Sequence, residues 1–396
     1  MISIPTLTKR VLAAGGTFHC VSSFQRSSPL AFQSTTRLSS SPPLPPPSFS
    51  LFANNDADDE EPLIRDMLYR IRKSNRMPDD LRSRVVEFQV DGSVLGKVDP
   101  RLADVLCSTS VPTARDGPSK PVFEMASPSS LTLSEETAGI TAESRTRAVA
   151  RVTEELRRIG VVTNWRDELY PVSDSFYNEP VFLIERGAAD LLGVLNYGVH
   201  INGFVKQAPD DENVDRPPLM WMARRSKTKS KYPGMVDHIA AGGQPAGLGL
   251  MENVIKECGE EAGIPPELAR ANIDIKPAGV VSYEEAEKCP VVGENDSNAA
   301  DDESNFYYKI SRTVLFNYDL HLPPGFVPKP VDGEVEEFFL WNIDEIKESI
   351  GWDFHDPLKP NCYLVVIDYL LRMGYVSPET KGYLDVLQEL RSGDCR

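Results

Sequence analysis

The stretch AAGGQPAGLGLMENVIKECGEEAGIP, residues 240–265, joins a glycine-rich segment to a short helical segment. Its first half shows no hydrophobic periodicity, which predicts a loop. Residues 251–262 have helical composition, and they are followed by Gly263 and Pro265, residue types that commonly end a helix. The stretch therefore predicts a glycine-rich loop that leads into a short helix.

Three glutamates lie together on one face of that predicted helix. Glu257, Glu260 and Glu261 have i, i+3 and i+4 spacing, which places their side chains next to one another. Val254 and Cys258 belong to an apolar stripe that can pack on a core. Like charges at helical spacing cost a few tenths of a kcal/mol per pair. A hard cation such as Mg²⁺ or Mn²⁺ binds carboxylate oxygens and removes that cost, so the pattern predicts a divalent metal site.

The same stretch resembles the signature of the Nudix hydrolase family, G-x5-E-x7-R-E-U-x-E-E-x-G-U, in which U is an aliphatic residue. Gly242 takes the position of the first glycine, and the helix supplies the core Glu-x-x-Glu-Glu-x-Gly. The sequence departs from the signature at three positions. Leu248 replaces the first glutamate, Lys256 replaces the arginine and Cys258 is a weak aliphatic residue. Lys256 keeps a cation but lacks the planar fork of a guanidinium.

The resemblance implies a fold and an activity. The expected fold is an α/β/α sandwich within an α+β protein, and the expected activity is hydrolysis of a small-molecule diphosphate. It implies that Glu257, Glu260 and Glu261 hold Mg²⁺ or Mn²⁺ and that Lys256 positions a glutamate. Two alternatives remain open: an ordinary acidic helix, and, because of Leu248, a decayed site that binds nucleotides as a sensor without hydrolysing them.

A basic segment, RRSKTKSK at residues 224–231, stands out in an otherwise acidic chain. It predicts either a loop that attracts phosphate towards the metal site or a solvated turn. Under the first interpretation, the substrate-binding residues are Arg224, Arg225, Lys227, Gly242 and Gly243.

Residues 332–337, DGEVEE, precede a predicted strand, at a place where Nudix enzymes often supply a further carboxylate. Asp332, Glu334 and Glu336 are therefore candidates for a further metal ligand or the general base. We take Glu334 as the representative of this set.

Residues 165–172 and 198–204 are rich in groups that can hydrogen-bond to a heteroaromatic ring or stack on it. They also resemble the region before the Nudix domain in a plant and fungal subfamily related to thiamine pyrophosphokinase fusions. That resemblance implies thiamine diphosphate, or its oxidised analogues, as the substrate. ADP-ribose or a dinucleotide is the alternative.

The first 55 residues contain no Asp or Glu, and the acidic run at residues 56–61 follows them. Their Ser/Pro bias predicts a chloroplast transit peptide, with a mitochondrial one or a plain tail as alternatives. We therefore expect a transit peptide at 1–55, a linker at 56–62, an N-terminal substrate-recognition domain of smaller α+β type at 63–197 and a Nudix domain at 198–396. The acidic segment 290–304 predicts a flexible insertion.

The composition excludes some classes of protein. A net charge of −17 argues against binding to nucleic acid or to an anionic membrane, because both require a basic face. The six cysteines lack Cys-x-x-Cys spacing, so they indicate neither a zinc site nor a disulfide framework. No apolar stretch is long enough to cross a bilayer.

Overall fold

The computed structural model of the protein describes five stretches of chain, residues 57–112, 117–207, 216–270, 275–291 and 306–393. The predicted transit peptide lies outside these residues, and so does most of the predicted insertion at 290–304. Among the described residues, no helix is both long enough and apolar enough to span a membrane.

The N-terminal half forms small sheets and helices. Its elements are α1 (Ala57–Ser74), α2 (Asp79–Arg84), β1 (Val86–Val90), β2 (Ser93–Val98), α3 (Pro100–Ser108), β3 (Ser110–Pro112), β4 (Ser119–Pro121), β5 (Phe123–Ser127), β6 (Ser130–Leu133), α4 (Glu135–Ala138), α5 (Ala142–Arg158), β7 (Leu169–Val172), β8 (Phe182–Glu185) and α6 (Ala189–Leu192). One sheet has the strand order β2-β1-β6-β5, and β7 pairs with β8.

The C-terminal half contains a seven-stranded mixed sheet. Its elements are β9 (Leu195–Val205), β10 (Leu219–Arg225), β11 (Val236–His238), β12 (Ala240–Gly243), α7 (Leu250–Ala262), α8 (Pro266–Arg270), β13 (Ile275–Pro290), β14 (Phe306–Leu322), β15 (Val335–Trp341), α9 (Ile343–Ser349), α10 (Pro360–Arg372) and α11 (Tyr383–Glu389). The main strand order is β11-β10-β9-β14-β13, with β12 also on β9 and β15 also on β10.

Helices cover both faces of this sheet. Met220 and Met222 of β10 pack in one apolar cluster with α10, whereas Trp221 between them packs in another with Val254 of α7. Successive strand residues point to opposite faces, so α10 and α7 lie on opposite sides of the sheet. The predicted α+β class and α/β/α sandwich are confirmed. Helix α1 joins the α10 layer through Met67 and its neighbours.

The predicted glycine-rich loop is shorter than expected. Residues 240–243 form strand β12, which pairs with β9 in the register Gly242↔Val199 and Gly243↔Gly198. The prediction of a loop is wrong there because Ala-Ala-Gly-Gly has no periodicity of its own and becomes a strand through its pairing with β9. The predicted helix is confirmed as α7, and Gly263 ends it in the left-handed region with φ 61°.

Candidate active site

A cavity of about 460 Å³ lies beside β12 and α7. One wall carries the three predicted glutamates of α7 together with Gly242 and Gly243. The remaining walls come from other parts of the chain, including residues 163–190 of the N-terminal half and residues 229–232 after β10. Nearly all the residues predicted from the sequence as catalytic or as metal ligands are therefore close to one cavity.

Glu257 and Glu261 point from α7 towards β12, Glu257 towards Gly242 and Glu261 towards Ala241. The Glu257 side chain is only 12% exposed. A Glu261 oxygen, Oε2, accepts a hydrogen bond of 3.0 Å from the backbone N–H of Ala241. Burial raises the pKa of both carboxyl groups. The charge of Glu260 raises the pKa of Glu257 further, and the charges of Asp237 and Glu257 raise that of Glu261. A bound divalent cation would relieve that repulsion, so the donor set suits one.

Lys256 and Glu260 lie at the outer edge of this carboxylate group. Lys256 Nζ is 3.0 Å from Oε1 of Glu257 and 2.8 Å from Oε2 of Glu260. The Glu260 side chain is 53% exposed, much more than that of Glu257. Lys256 therefore contacts two of the three predicted metal ligands.

The glycines are required because side chains cover them closely. A Cβ atom at Gly242 would lie 2.1 Å from Cδ of Glu257, and one at Gly243 would lie 1.6 Å from the Tyr170 hydroxyl oxygen. Real Cβ atoms do not approach other atoms so closely. The glycines thus let helix α7 and the N-terminal half both approach strand β12.

The N-terminal half supplies site residues that the sequence did not single out. Tyr170 of β7 lies over Gly243, and burial raises the pKa of its hydroxyl. Arg186 lies beside them, with Nη1 donating to Glu168 Oε2 at 2.8 Å. Tyr170 and Glu168 fall within the predicted ring-binding segment 165–172, but no sequence signal pointed to Arg186.

The basic segment divides between the cavity and the surface. Arg225 lines the cavity, and its Nη1 donates a hydrogen bond of 2.7 Å to Asp237. Arg224 instead pairs with Asp356 at 2.7 Å, and Lys227 is 81% exposed; neither lies on the cavity wall. Adjacent strand residues point to opposite faces, so Arg224 and Arg225 cannot both reach the cavity.

The acidic segment 332–337 divides in the same way. Glu334 lines the cavity and forms an ion pair with Lys229, and Asp332 lines it as well. Lys229 and other basic groups lower the pKa of Glu334 against the opposing effect of burial. Glu336 faces outwards and accepts a hydrogen bond of 3.0 Å from the backbone N–H of Lys227.

A buried cluster of His200, Asp237, His238 and Cys362 lies next to the cavity and has the donor types of a metal site. The Nδ1 atoms of the two histidines are 3.0 Å apart, and Cys362 Sγ is 2.9 Å from Asp237. Arg225 and Lys359 also contact Asp237, so two cations already neutralise this carboxylate. Burial lowers the pKa of His238 to about 4, which keeps its ring neutral.

Comparisons with known proteins give a family model for part of the N-terminal half and named relatives for a longer part of the chain. A domain of unknown function (DUF4743) matches residues 66–196, the part that contains Tyr170 and Arg186. The chain is 43% identical to Nudix hydrolase 20, chloroplastic, of Arabidopsis thaliana, over 64% of this chain and 59% of that protein. It is 41% identical to Nudix hydrolase 24, chloroplastic, of the same plant, over 64% of this chain and 61% of that protein.

The matched part thus spans less than two thirds of the length of either relative. Among solved structures, the chain is similar to a MutT/nudix family protein from Enterococcus faecalis, with 12% identity and a TM-score of 0.31, over 48% of this chain and 67% of that one.

Proposed function

We propose that this protein is a divalent-metal-dependent Nudix hydrolase that cleaves a diphosphate joined to an organic group. The observation that carries the proposal is the position of Glu257 and Glu261, which lie against Gly242 and Ala241 of β12 in the wall of a cavity that also carries basic side chains. The names of the two plant relatives support the same activity.

Glu257, Glu260 and Glu261 would hold the metal, Mg²⁺ or Mn²⁺. When bound, the ion would neutralise phosphate charge and lower the pKa of a water molecule. The three carboxylates suit a hard cation because they offer only oxygen donors and repel one another without it. Lys256 would keep Glu257 and Glu260 in position through the two contacts described above.

Other residues of the chain would bind the substrate and accept a proton. Glu334 lies in the same cavity, and its lowered pKa keeps it ionised; the carboxylate can accept a proton, although the lowered pKa makes it a weaker base. Arg225 lines the cavity but is held by Asp237, and Gly242 and Gly243 belong to the cavity wall beside the carboxylates. We therefore keep Glu334 as the proposed general base, and Arg225 and the glycines as substrate-binding residues.

For the substrate we propose thiamine diphosphate or its oxidised, damaged analogues, which would be cleaved to monophosphates. The cavity supports this choice because it is large and because its walls carry different groups. Tyr232 and Tyr283 offer aromatic and hydroxyl groups, and Asp190 and Glu285 offer carboxylates that suit a cationic ring. We also propose that the protein acts in chloroplasts, from the composition of residues 1–55 and the names of the plant relatives.

The test is an assay of the full-length protein with Mg²⁺ and with Mn²⁺. The substrates are thiamine diphosphate, its oxidised analogues, ADP-ribose and a dinucleotide, and the monophosphate products are separated by chromatography. We expect cleavage mainly of the thiamine compounds and none when the metal is removed by a chelator. The matched control is the double variant Glu260→Gln with Glu261→Gln, which should be inactive.

The other outcomes are informative. Cleavage of the nucleotides alone would contradict the thiamine assignment and leave the hydrolase in place. No cleavage of any compound, together with tight binding of one of them, would contradict the enzyme and favour a sensor.

A further inference from the structure

We infer that Arg186 binds the diphosphate and that the region matched by the domain of unknown function completes the active site through this residue. The inference rests on the proposed function, because it assigns a residue to the same cavity. It gives residues 66–196 a task in anion binding, beyond any contact they make with the organic group of the substrate.

Arg186 is placed where a phosphate beside the metal ligands would be. Its guanidinium carbon would lie 3.1 Å from a Cβ atom at Gly243, the residue next to Gly242, which packs under Glu257. Arg186 and Glu257 also line the same cavity. The cation is therefore close to both the glycine strand and the carboxylates.

Two neighbours hold the Arg186 side chain in this position. Glu168 accepts a hydrogen bond of 2.8 Å from Nη1 of Arg186, and the guanidinium carbon lies 5.4 Å from the ring centre of Tyr170. The backbone supports the arrangement, because the Ala246 N–H donates to the Leu169 carbonyl oxygen at 2.9 Å and joins β7 to the segment after β12. An arginine held in this way loses little rotational freedom when it binds an anion.

The Arg186 side chain has hydrogen-bonding capacity left for a ligand. It is 41% exposed although protein surrounds it, because it faces the cavity. Within the described parts of the chain, its hydrogen bond to Glu168 uses only Nη1. A guanidinium has five N–H groups in a planar fork, so the remaining donors suit two oxygens of a phosphate.

Three of the other cations on the cavity wall are engaged more completely. Lys229 is paired with Glu334, and Lys256 lies between two glutamates. Arg225 donates to Asp237 and to two backbone carbonyl groups, those of Lys231 and Tyr232. Arg186 is thus the better placed of these cations to exchange part of its contacts for a phosphate.

The experiment compares full-length protein with the variants Arg186→Gln and Arg186→Lys. The control is Arg157→Gln: Arg157 packs on Trp165 in the same region, and it does not line the cavity. Binding of methylene diphosphonate, a diphosphate that cannot be hydrolysed at its central bond, is measured by calorimetry in the presence of Mg²⁺. The KM and kcat of the best substrate are measured separately.

We expect Arg186→Gln to weaken diphosphonate binding about tenfold to a hundredfold, which corresponds to a lost charge-assisted hydrogen bond. Arg186→Lys should lie between that variant and wild type, because it keeps the charge without the fork. Binding should also depend less on salt in Arg186→Gln, whereas a merely structural role would leave the salt dependence unchanged. Arg157→Gln should behave as wild type.

Diphosphonate affinity of Arg186→Gln within twofold of wild type would overturn the inference. If Arg186→Gln does not fold, the lysine variant decides in the same way, and wild-type affinity and salt dependence there would count against a guanidinium contact. If the wild-type protein cleaves no compound, but Arg186→Gln binds diphosphonate more weakly than wild type, the proposed hydrolysis fails while the inference stands.

Discussion

Gly242 lies directly against the carboxylate of Glu257, so that a Cβ atom at residue 242 would stand 2.1 Å from the Glu257 carboxyl carbon. The strand β12 and the helix α7 thus meet at a point where the strand has no side chain and the helix carries Glu257, a proposed metal ligand. Because Gly242 has no Cβ atom, the Glu257 carboxylate can occupy the space beside the strand.

We expect Gly242→Ala to remove most of the activity and little of the stability. The added methyl group displaces the flexible end of Glu257 instead of the backbone, and a displaced ligand can reduce catalysis by about a hundredfold. Initial rates and thermal unfolding measure the two effects. The control is Gly259→Ala on helix α7, which also carries Glu257. A Cβ atom there would lie 3.8 Å from the Ile264 carbonyl oxygen, and an alanine should add about 0.5 to 1 kcal/mol of stability. Full activity in Gly242→Ala would contradict this account of the glycine.

We expect Glu261→Gln to lose the stabilisation that Mg²⁺ or Mn²⁺ gives the wild-type protein. The amide oxygen can still accept from Ala241, so the fold should persist, but the negative charge that attracts the ion is gone. Melting temperatures with metal and with a chelator provide the measurement. Glu252→Gln is the matched control, because Glu252 caps the same helix through Gly249 N–H and a glutamine can do the same. A metal-induced shift of wild-type size in Glu261→Gln would argue against Glu261 as a ligand.

We expect Leu248→Ala to change kcat by less than about threefold. Leu248 does not line the cavity, and Lys256 is held by Glu257 and Glu260 without help from residue 248. The change removes only part of a half-buried side chain, which has a modest effect on stability. Steady-state rates test this, and a large loss of kcat with an intact fold would show that the leucine shapes the site.

We expect the free energy of unfolding to rise between pH 4 and pH 6.5, in part because of His238. Burial lowers the folded-state pKa of His238 to about 4, and the nearby cation Lys359 lowers it too, while Asp237 opposes the shift. The unfolded imidazole, with a pKa of about 6.5, therefore binds more protons in this range, and stability falls as the pH falls. The pKa of the neighbouring His200 is lowered as well, so it contributes to the same slope.

The variant His238→Asn should reduce the slope of the free energy of unfolding against pH. One such histidine changes the free energy of unfolding by about 3 kcal/mol between pH 4 and pH 6.5. Urea denaturation at several pH values measures it. His355→Asn, at an exposed histidine, should keep the wild-type slope. An unchanged slope in His238→Asn would contradict a neutral, buried His238.

The segments whose structure is local could be predicted from the sequence. Helix α7 was predicted from its composition and its glycine stop. An Asp-Gly pair favours a two-residue hairpin turn, and Asp91 and Gly92 join the antiparallel strands β1 and β2. Both have positive φ, 52° and 81°, as such a turn requires. The face of α7 that carries the three glutamates also follows from spacing, because the helical repeat decides which side chains are neighbours.

The tertiary structure decided which of the candidate residues reach the cavity. Arg224 and Arg225 are adjacent in sequence, but the strand turns one towards Asp356 and the other towards Asp237 and the cavity. Strand β12 exists because β9 pairs with it, and nothing in Ala-Ala-Gly-Gly indicates that partner. Arg186 lies 57 positions before Gly243 in the chain, and only the packing of β7 and β8 on the glycine strand brings the two together. Sequence periodicity reports contacts along one element, whereas the site is made by contacts between elements that are distant in the chain.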